Sequence, residues 1–534
     1  MFKLSNFSFW NILPLVTLVI FITPILVVLS SLFNGFNENI IHIYDFVLYE
    51  YVSNSLILVI GVSLLVLIIG IGTAWLVTNY NFFGKQILEW ALILPLAIPP
   101  YILAYTFTGL FDSFGTLNNL MRDIFELSDA AVIFPNVRNI YGGIIVFAFT
   151  LYPYLYLLAR MSFINQSQTM IESARTLGLN KFQVFLNVSL PLIRPAIIGG
   201  LILVSMEVLS DFGAVQHFSI PTFTTGIFKT WEGLYDLNSA MQLASILLIF
   251  ITIFIVVERT SRKNALYSPQ SSNFKPTKII QLKGMYNFIA FFFCLIPIIV
   301  GFLLPVSELL FWAFSYNESF FSEQFVRTSL NTFFISIVAA ITCVLLALLV
   351  NFSIRIKNNR STNFLSSLLT IGYGIPGLIL AIGIVQLTAS LGNLLNVLLV
   401  GSLFGLLIAY LVKSYALANL SIEAGFSRIS KKYDDSARTL KSTGWHMLFN
   451  IHLPLLKGSV LTATLLVFAE IVKELPATLI LRPFNFDTLA VSTYLYAAEE
   501  RMYEAAAPAI SIVLIGLIPI IFITKMIRDS KPVK

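Results

Sequence analysis

The chain has 534 residues, 57% hydrophobic and 11% charged, with a net charge of +6 and a mean hydropathy of +0.86. Soluble domains carry roughly 25% charged residues, so this composition excludes a soluble protein and is that of an integral membrane protein. Two cysteines, both in apolar runs, and four scattered histidines exclude a disulfide framework, a zinc site and an iron–sulfur cluster.

A membrane-spanning helix needs about 20 apolar residues. Twelve runs qualify: 10–32, 53–78, 87–111, 141–163, 190–211, 240–257, 286–313, 329–354, 363–390, 394–418, 455–480 and 505–526. The first is too long for the core of a signal peptide and lacks a small-residue cleavage site, so it is expected to stay as a span. The expected fold is all-α, with about 12 transmembrane helices. Most of the 33 Lys and Arg cluster at 85, 160–194, 258–283, 355–360, 413–457 and 525–534, at alternate ends of the runs. This is the positive-inside pattern, which places both termini in the cytoplasm and makes lipid, rather than nucleic acid, the partner of the positive charge.

The polar stretch 258–284 reads as a cytoplasmic linker. It separates a first unit (span and outer loop 1–52, transmembrane domain 53–257) from a second (span and outer loop 285–327, transmembrane domain 328–526, tail 527–534). The units repeat each other. Residues 173–191, "SARTLGLNKFQVFLNVSLP", match 436–454, "SARTLKSTGWHMLFNIHLP", at a constant offset of 263. Upstream, "LAIPP" (96–100) resembles "YGIPG" (373–377). Six spans per unit is an even number, so the repeats are parallel about an axis along the membrane normal, with a pathway between them.

The glycines Gly372, Gly374 and Gly377 spell G-x-G-x-x-G, but with no βαβ unit around them they read as an interrupted membrane helix. No G-x-x-x-x-G-K-[ST] phosphate loop occurs, and no Ser/His/Asp or Cys/His grouping suggests catalysis. The chain is therefore expected to be a transport subunit without tightly bound cofactors, any ATPase being a separate polypeptide. Within the runs, Glu207 and Asp211 lie at i and i+4, and the 263-residue offset carries them onto Glu470 and Glu474. Intramembrane charge is costly, about 2.5–3.5 kcal/mol per group at mid-membrane, so it marks a water-filled path or a partner. The four carboxylates are expected on two helical faces around one axis, as a substrate pathway and a transient site for a metal cation. Lys473 can neutralise one of them, and Ser210 holds its place in the first repeat. Local pairing, or a place at the outer membrane edge, is the other reading. Pro476 is expected to end or kink its helix, so that 478–496 runs along the outer surface or partly re-enters.

The duplicated cytoplasmic segment carries a resemblance. Glu172-Ser173-Ala174, then Gly178, then Val188-Ser189-Leu190-Pro191 resembles the EAA signature of ABC-importer permeases. The second copy, Asp435-Ser436-Ala437 with Leu453-Pro454, departs from it. Asp435 replaces Glu, and Lys441 stands where the Gly belongs, with Gly444 three residues on, so a differently shaped turn is expected. The phrase "KELPATLILRPFNFDTLA" (473–490), with "DFGAV" (211–215), is similar to the ferric-ion permeases of that superfamily, in which two transmembrane domains are fused. The resemblance implies the type I importer permease fold in the bacterial inner membrane, inward movement of ferric iron, and an extracytoplasmic substrate-binding protein. It also implies a cytoplasmic ABC ATPase dimer gripping both EAA segments, through which ATP acts. Permeases for thiamine, polyamine, phosphonate or another oxyanion share the architecture. An ion-gradient-driven secondary transporter would suit the intramembrane acids but not two matched EAA segments.

Overall fold

A computed structural model describes residues 9–128, 132–263, 279–316, 320, 322–357, 360–442 and 444–529. Among the described residues nine helices are long and apolar enough to cross a membrane, and three further pairs, bent at short breaks, bring the number to twelve. These coincide one for one with the twelve apolar runs, although several boundaries move. The second helix starts not at 53 but at Glu38, where Asn37 caps it by accepting the Ile40 amide at 3.1 Å; the outer loop before this span is therefore largely helical. The run 363–390 is broken into Arg360–Leu369, a 3-10 turn at Thr370–Gly374 and a helix Gly377–Leu395. The next helix begins at Leu403 rather than 394 and continues to Arg428. An apolar loop hides that turn from hydropathy: Asn396 and Gly401 take positive φ (53° and 68°) between residues as greasy as Leu398.

The linker also differs from expectation. Helix Leu237–Lys263 runs six residues into it, and Ile280–Gln281 pairs in parallel with Tyr80–Asn81, tying its far end to the first repeat. Its residues 264–278 lie outside the described residues, as do 1–8 of the first segment and 530–534 of the tail; the tail's first three residues continue helix Met502–Asp529.

The repeat recurs in the backbone at the same offset. Helix Gln168–Thr176 corresponds to Lys431–Thr439, the π-turn Phe185–Ser189 to Leu448–His452, and helix Arg194–Ser210 to Lys457–Val472. Both returning spans are bent where a single helix was expected, by 68° before Arg194 and by 80° before Lys457. Pro191 and Pro454 sit in the last turns of the helices Phe182–Leu192 and Trp445–Leu455, just before each bend. The first helix of each unit packs across the divide. Phe9–Ser30 lies on Gly377–Leu395 and Glu323–Lys357 of the second repeat, and Leu304–Ser315 lies on Pro100–Phe111 of the first as well as on Met502–Asp529. Gly383 permits the first of these contacts, since a Cβ there would meet the Pro24 carbonyl oxygen at 2.4 Å. Cys294 and Cys343 are buried free thiols.

Candidate functional site: a carboxylate-lined cavity and two surface helices

Helices Arg194–Ser210 and Lys457–Val472 end just short of the residues expected to extend their acidic faces. Asp211 is already extended (φ −70°, ψ 139°), and Glu474 lies beyond the helix that Lys473 caps. Neither carboxylate pair therefore shares one helical face. The chain reverses after each, and the residue acts on the short helix that follows. Asp211 accepts the amides of Ala214 (2.9 Å) and Val215 (3.3 Å), and Glu474 accepts that of Ala477 (3.3 Å). Both acids thus satisfy amide donors that the start of a helix leaves open. Pro476 does not break the preceding helix, which stopped at Val472. It opens the next one, Pro476–Leu481. The segment that follows packs into the protein, with Leu489–Thr493 buried, rather than lying along the surface.

The reversals nevertheless bring all four acids to one cavity of about 90 Å³ between the repeats, lined by Glu207, Ser210, Asp211, Glu470, Lys473, Glu474, Thr150 and Lys413 together with Pro99, Tyr101 and Tyr154. That is room for a few waters. Among the described residues no three His, Cys, Asp or Glu side chains gather closely enough to hold a metal ion, the four acids included. Lysines stand between them. Lys473 Nζ lies 2.8 Å from Glu470 Oε2, and Lys413 is hydrogen-bonded to Glu474. Gly377 makes room for the second pair, because a Cβ there would sit 2.4 Å from Glu474 Oε1. The backbone beneath is held by Thr478, which donates to the Glu474 carbonyl (2.8 Å) and pairs with the Tyr410 hydroxyl (2.7 Å). The repeats also touch where Gly213 abuts Leu475 and where Phe212 and Tyr494 meet at 5.7 Å between ring centroids.

Lys413 begins the basic cluster 413–457 in the sequence, yet in the fold it lines the cavity, ten residues into helix Leu403–Arg428 and about 15 Å along it. The missed signal was the repeat itself, for Thr150, 263 residues earlier, lines the same cavity.

The expected coupling segments form two short amphipathic helices at the surface. In Gln168–Thr176, Ala174 is buried, while Glu172 and Ser173 are exposed; in Lys431–Thr439, Ala437 is buried, while Asp435 and Ser436 are exposed. After each comes a leucine almost fully exposed, Leu177 at 83% and Leu440 at 82%. The turns have the same shape, contrary to expectation. Leu179 N donates to Ala174 O and Ser442 N to Ala437 O, with Gly178 (φ +89°) and Lys441 (φ +60°) both left-handed. Nothing lies within 4 Å of a Cβ built on Gly178, so its glycine serves the backbone conformation alone and not a close contact. Gly444 falls after the turn, at φ 57°, and begins the short helix Trp445–Met447. Leu190 and Leu453 are partly buried; Pro191 is partly buried and Pro454 exposed.

The model of the binding-protein-dependent transport system inner membrane component family matches residues 66–259 and again 343–530, together more than two thirds of the chain. The chain belongs to this family. The permease is a multi-pass inner membrane protein with the type I fold, its two family domains fused in one polypeptide. It is 26% identical over 482 residues to the Fe(3+)-transport system permease protein FbpB 2 of Haemophilus influenzae, covering 89% of this chain and 90% of that one. It is 23% identical over 507 residues to the ferric transport system permease protein FbpB of Actinobacillus pleuropneumoniae, covering 90% and 71% respectively. A shorter match, 30% over 149 residues, covers 28% of this chain and 62% of the molybdenum transport system permease protein ModB of Escherichia coli.

Proposed function

We propose that the permease is the membrane subunit of an ATP-driven importer that carries ferric iron inward. The observation that carries this reading is similarity along nearly the whole chain, both repeats included, to permeases of ferric transport. The cavity chemistry supports it, for hard cations prefer oxygen donors and four carboxylates face the path against two lysines. In this reading Glu207, Asp211, Glu470 and Glu474 line the route, and both termini are cytoplasmic. A cytoplasmic ATPase dimer, which alone binds ATP, grips the two surface helices through Glu172, Ser173, Ala174, Asp435, Ser436 and Ala437. The paired exposed leucines support this, as does the short chain path from each surface helix, through one bent helix pair, to a cavity-lining helix. ATPase closure then rocks the repeats and alternates access to the cavity. An extracytoplasmic binding protein delivers the cargo, in keeping with the family's description.

A second reading, an oxyanion such as molybdate, is favoured by one observation: two lysines reach the cavity, and the ModB similarity points the same way. Each lysine is already neutralised by a glutamate, which leaves the lining net acidic and the cation reading stronger. Uptake of radiolabelled ferric iron by cells lacking the gene, complemented with wild type or with Glu172→Lys/Asp435→Lys, tests the proposal. Import restored by wild type alone, and lost on ATP depletion, is the expected result. A well-inserted wild-type chain that restores molybdate but not iron uptake would transfer the cargo to the oxyanion.

A further inference from the structure

Both positive charges in the shared cavity come from one repeat. Lys413 and Lys473 occupy the positions that Thr150 and Ser210 hold in the other, on the same wall. Each rests on a carboxylate, Lys413 on Glu474 and Lys473 on Glu470. Beyond these partners Lys413 also faces Glu470 and Glu207, and Lys473 also faces Glu207. Every carboxylate of the cavity is thus within electrostatic reach of an ammonium group, Asp211 facing Lys413 as well as accepting from two backbone amides.

A fixed positive charge repels a cationic cargo, so the lysines need a reason to be there. Bare carboxylates around a small wet cavity would bind any oxygen-seeking cation. A tethered ammonium is an internal competitor at high effective concentration. A monovalent ion that displaces it gains no Coulomb energy, a divalent ion doubles the attraction per carboxylate, and a trivalent ion triples it. We infer that Lys413 and Lys473 are resident counter-ions that set a charge threshold on the pathway. They hold the glutamates against mono- and divalent cations and yield to a cation of high charge density. The two pairs are specificity-determining. The inference rests on the cation reading above.

The test uses the full-length chain in lipid nanodiscs, with Mn²⁺ as the probe and electron paramagnetic resonance to count bound ions. Wild type is expected to bind Mn²⁺ only weakly. Lys413→Met/Lys473→Met should gain one site, tighter by about tenfold or more, and adding Glu470→Gln/Glu474→Gln should remove it. Lys413→Arg/Lys473→Arg, which keeps the charges, should behave as wild type. If the double methionine chain fails to insert, Lys473→Met alone should show a smaller gain. Unchanged Mn²⁺ affinity in a folded methionine variant would overturn the threshold, as would equal tightening in the arginine variant. Parallel iron uptake separates the two ideas. Wild type that imports iron with no Mn²⁺ gain in the variant sinks the counter-ion role alone. A Mn²⁺ gain in a permease that imports no iron sinks the cargo alone.

Discussion

The two repeats share a backbone and differ in how they hold it. In the second, the surface helix is anchored by a buried charge cluster. Arg355 pairs with Asp434 (2.7 Å) and donates to the carbonyls of Phe426 and Ile429, while His452 Nε2 lies 3.0 Å from the other Asp434 oxygen. In the first, Ile171 stands in the place of Asp434 and Ser189 in that of His452, and Gln166 reaches the Ser189 carbonyl instead. The first repeat keeps its ion pair elsewhere, between Arg160 and Glu89, with the Tyr156 hydroxyl on the Glu89 carbonyl. A duplicated fold thus tolerates different interiors as long as each buried charge keeps a partner, and the partners need not sit at equivalent places.

The largest effect should come from breaking the second-repeat anchor. Arg355→Met leaves Asp434, only 7% exposed, without its guanidinium, and should cost about 3 kcal/mol or more in stability. Adding Asp434→Ile, the residue of the first repeat, should recover much of it. Thermal melting of the purified variants would show this; strictly additive losses would mean that the pair is not a unit.

Next comes the cavity. The shorter Asp211 goes with Pro100 after the first "IP" and the longer Glu474 with Gly377 after the second. Gly377→Ala pushes a methyl into Glu474 and should destabilise by about 1–3 kcal/mol, with transport impaired as well. Glu474→Asp, one methylene shorter, should relieve the clash, and no rescue by it would show that the glycine is needed for another reason.

A smaller, opposite-signed pair of effects belongs to the turns. Gly178→Ala should cost about 1 kcal/mol through backbone strain alone, and Lys441→Gly should stabilise by up to about 1 kcal/mol by removing it. Chemical denaturation of the two variants side by side would reveal any departure from those opposite signs.

The smallest effect is just before the last span of each repeat. Asp236 accepts from Asn37 (2.6 Å), Asn39 (2.9 Å) and Ser239, whereas Glu499, at the corresponding position, shares the exposed Arg501 with Glu504. Partial burial of Asp236 would raise its pKa, but the hydrogen bonds from Asn39, Ser239 and Asn37 outweigh it and hold the group below its ordinary value of 3.8. A depressed carboxylate stabilises the fold above its unfolded pKa, and that contribution is lost as pH falls below 3.8 towards the folded value. Asp236→Asn should therefore flatten the acid side of the stability–pH profile, while Arg501→Ala should leave melting unchanged within error. An equal response of both variants to acid would contradict the contrast.

Much of this was legible in the chain. Twelve runs, the basic clusters and the offset of 263 gave the span count and the parallel repeat, and the twice-written EAA segment marked the surface helices before their exposed leucines were visible. The carboxylates could be placed around one axis, though for the wrong local reason. The i, i+4 rule assumes an unbroken helix, and both helices stop before the second acid, which the next helix uses for its own amides.

By itself, then, the sequence determined the quantities that are local or periodic: apolar length, charge asymmetry, repeat register and the residues at the surface turns. Each follows from transfer free energy or from backbone preference within a few residues. The tertiary structure alone decided that Lys413 meets Glu474, 61 residues away, and that the cavity's positive charge all lies on one side. That pairing depends on how helix Leu403–Arg428 is turned against Lys457–Val472. Such a rotation is fixed by packing over the whole interface and leaves no periodic trace in either segment.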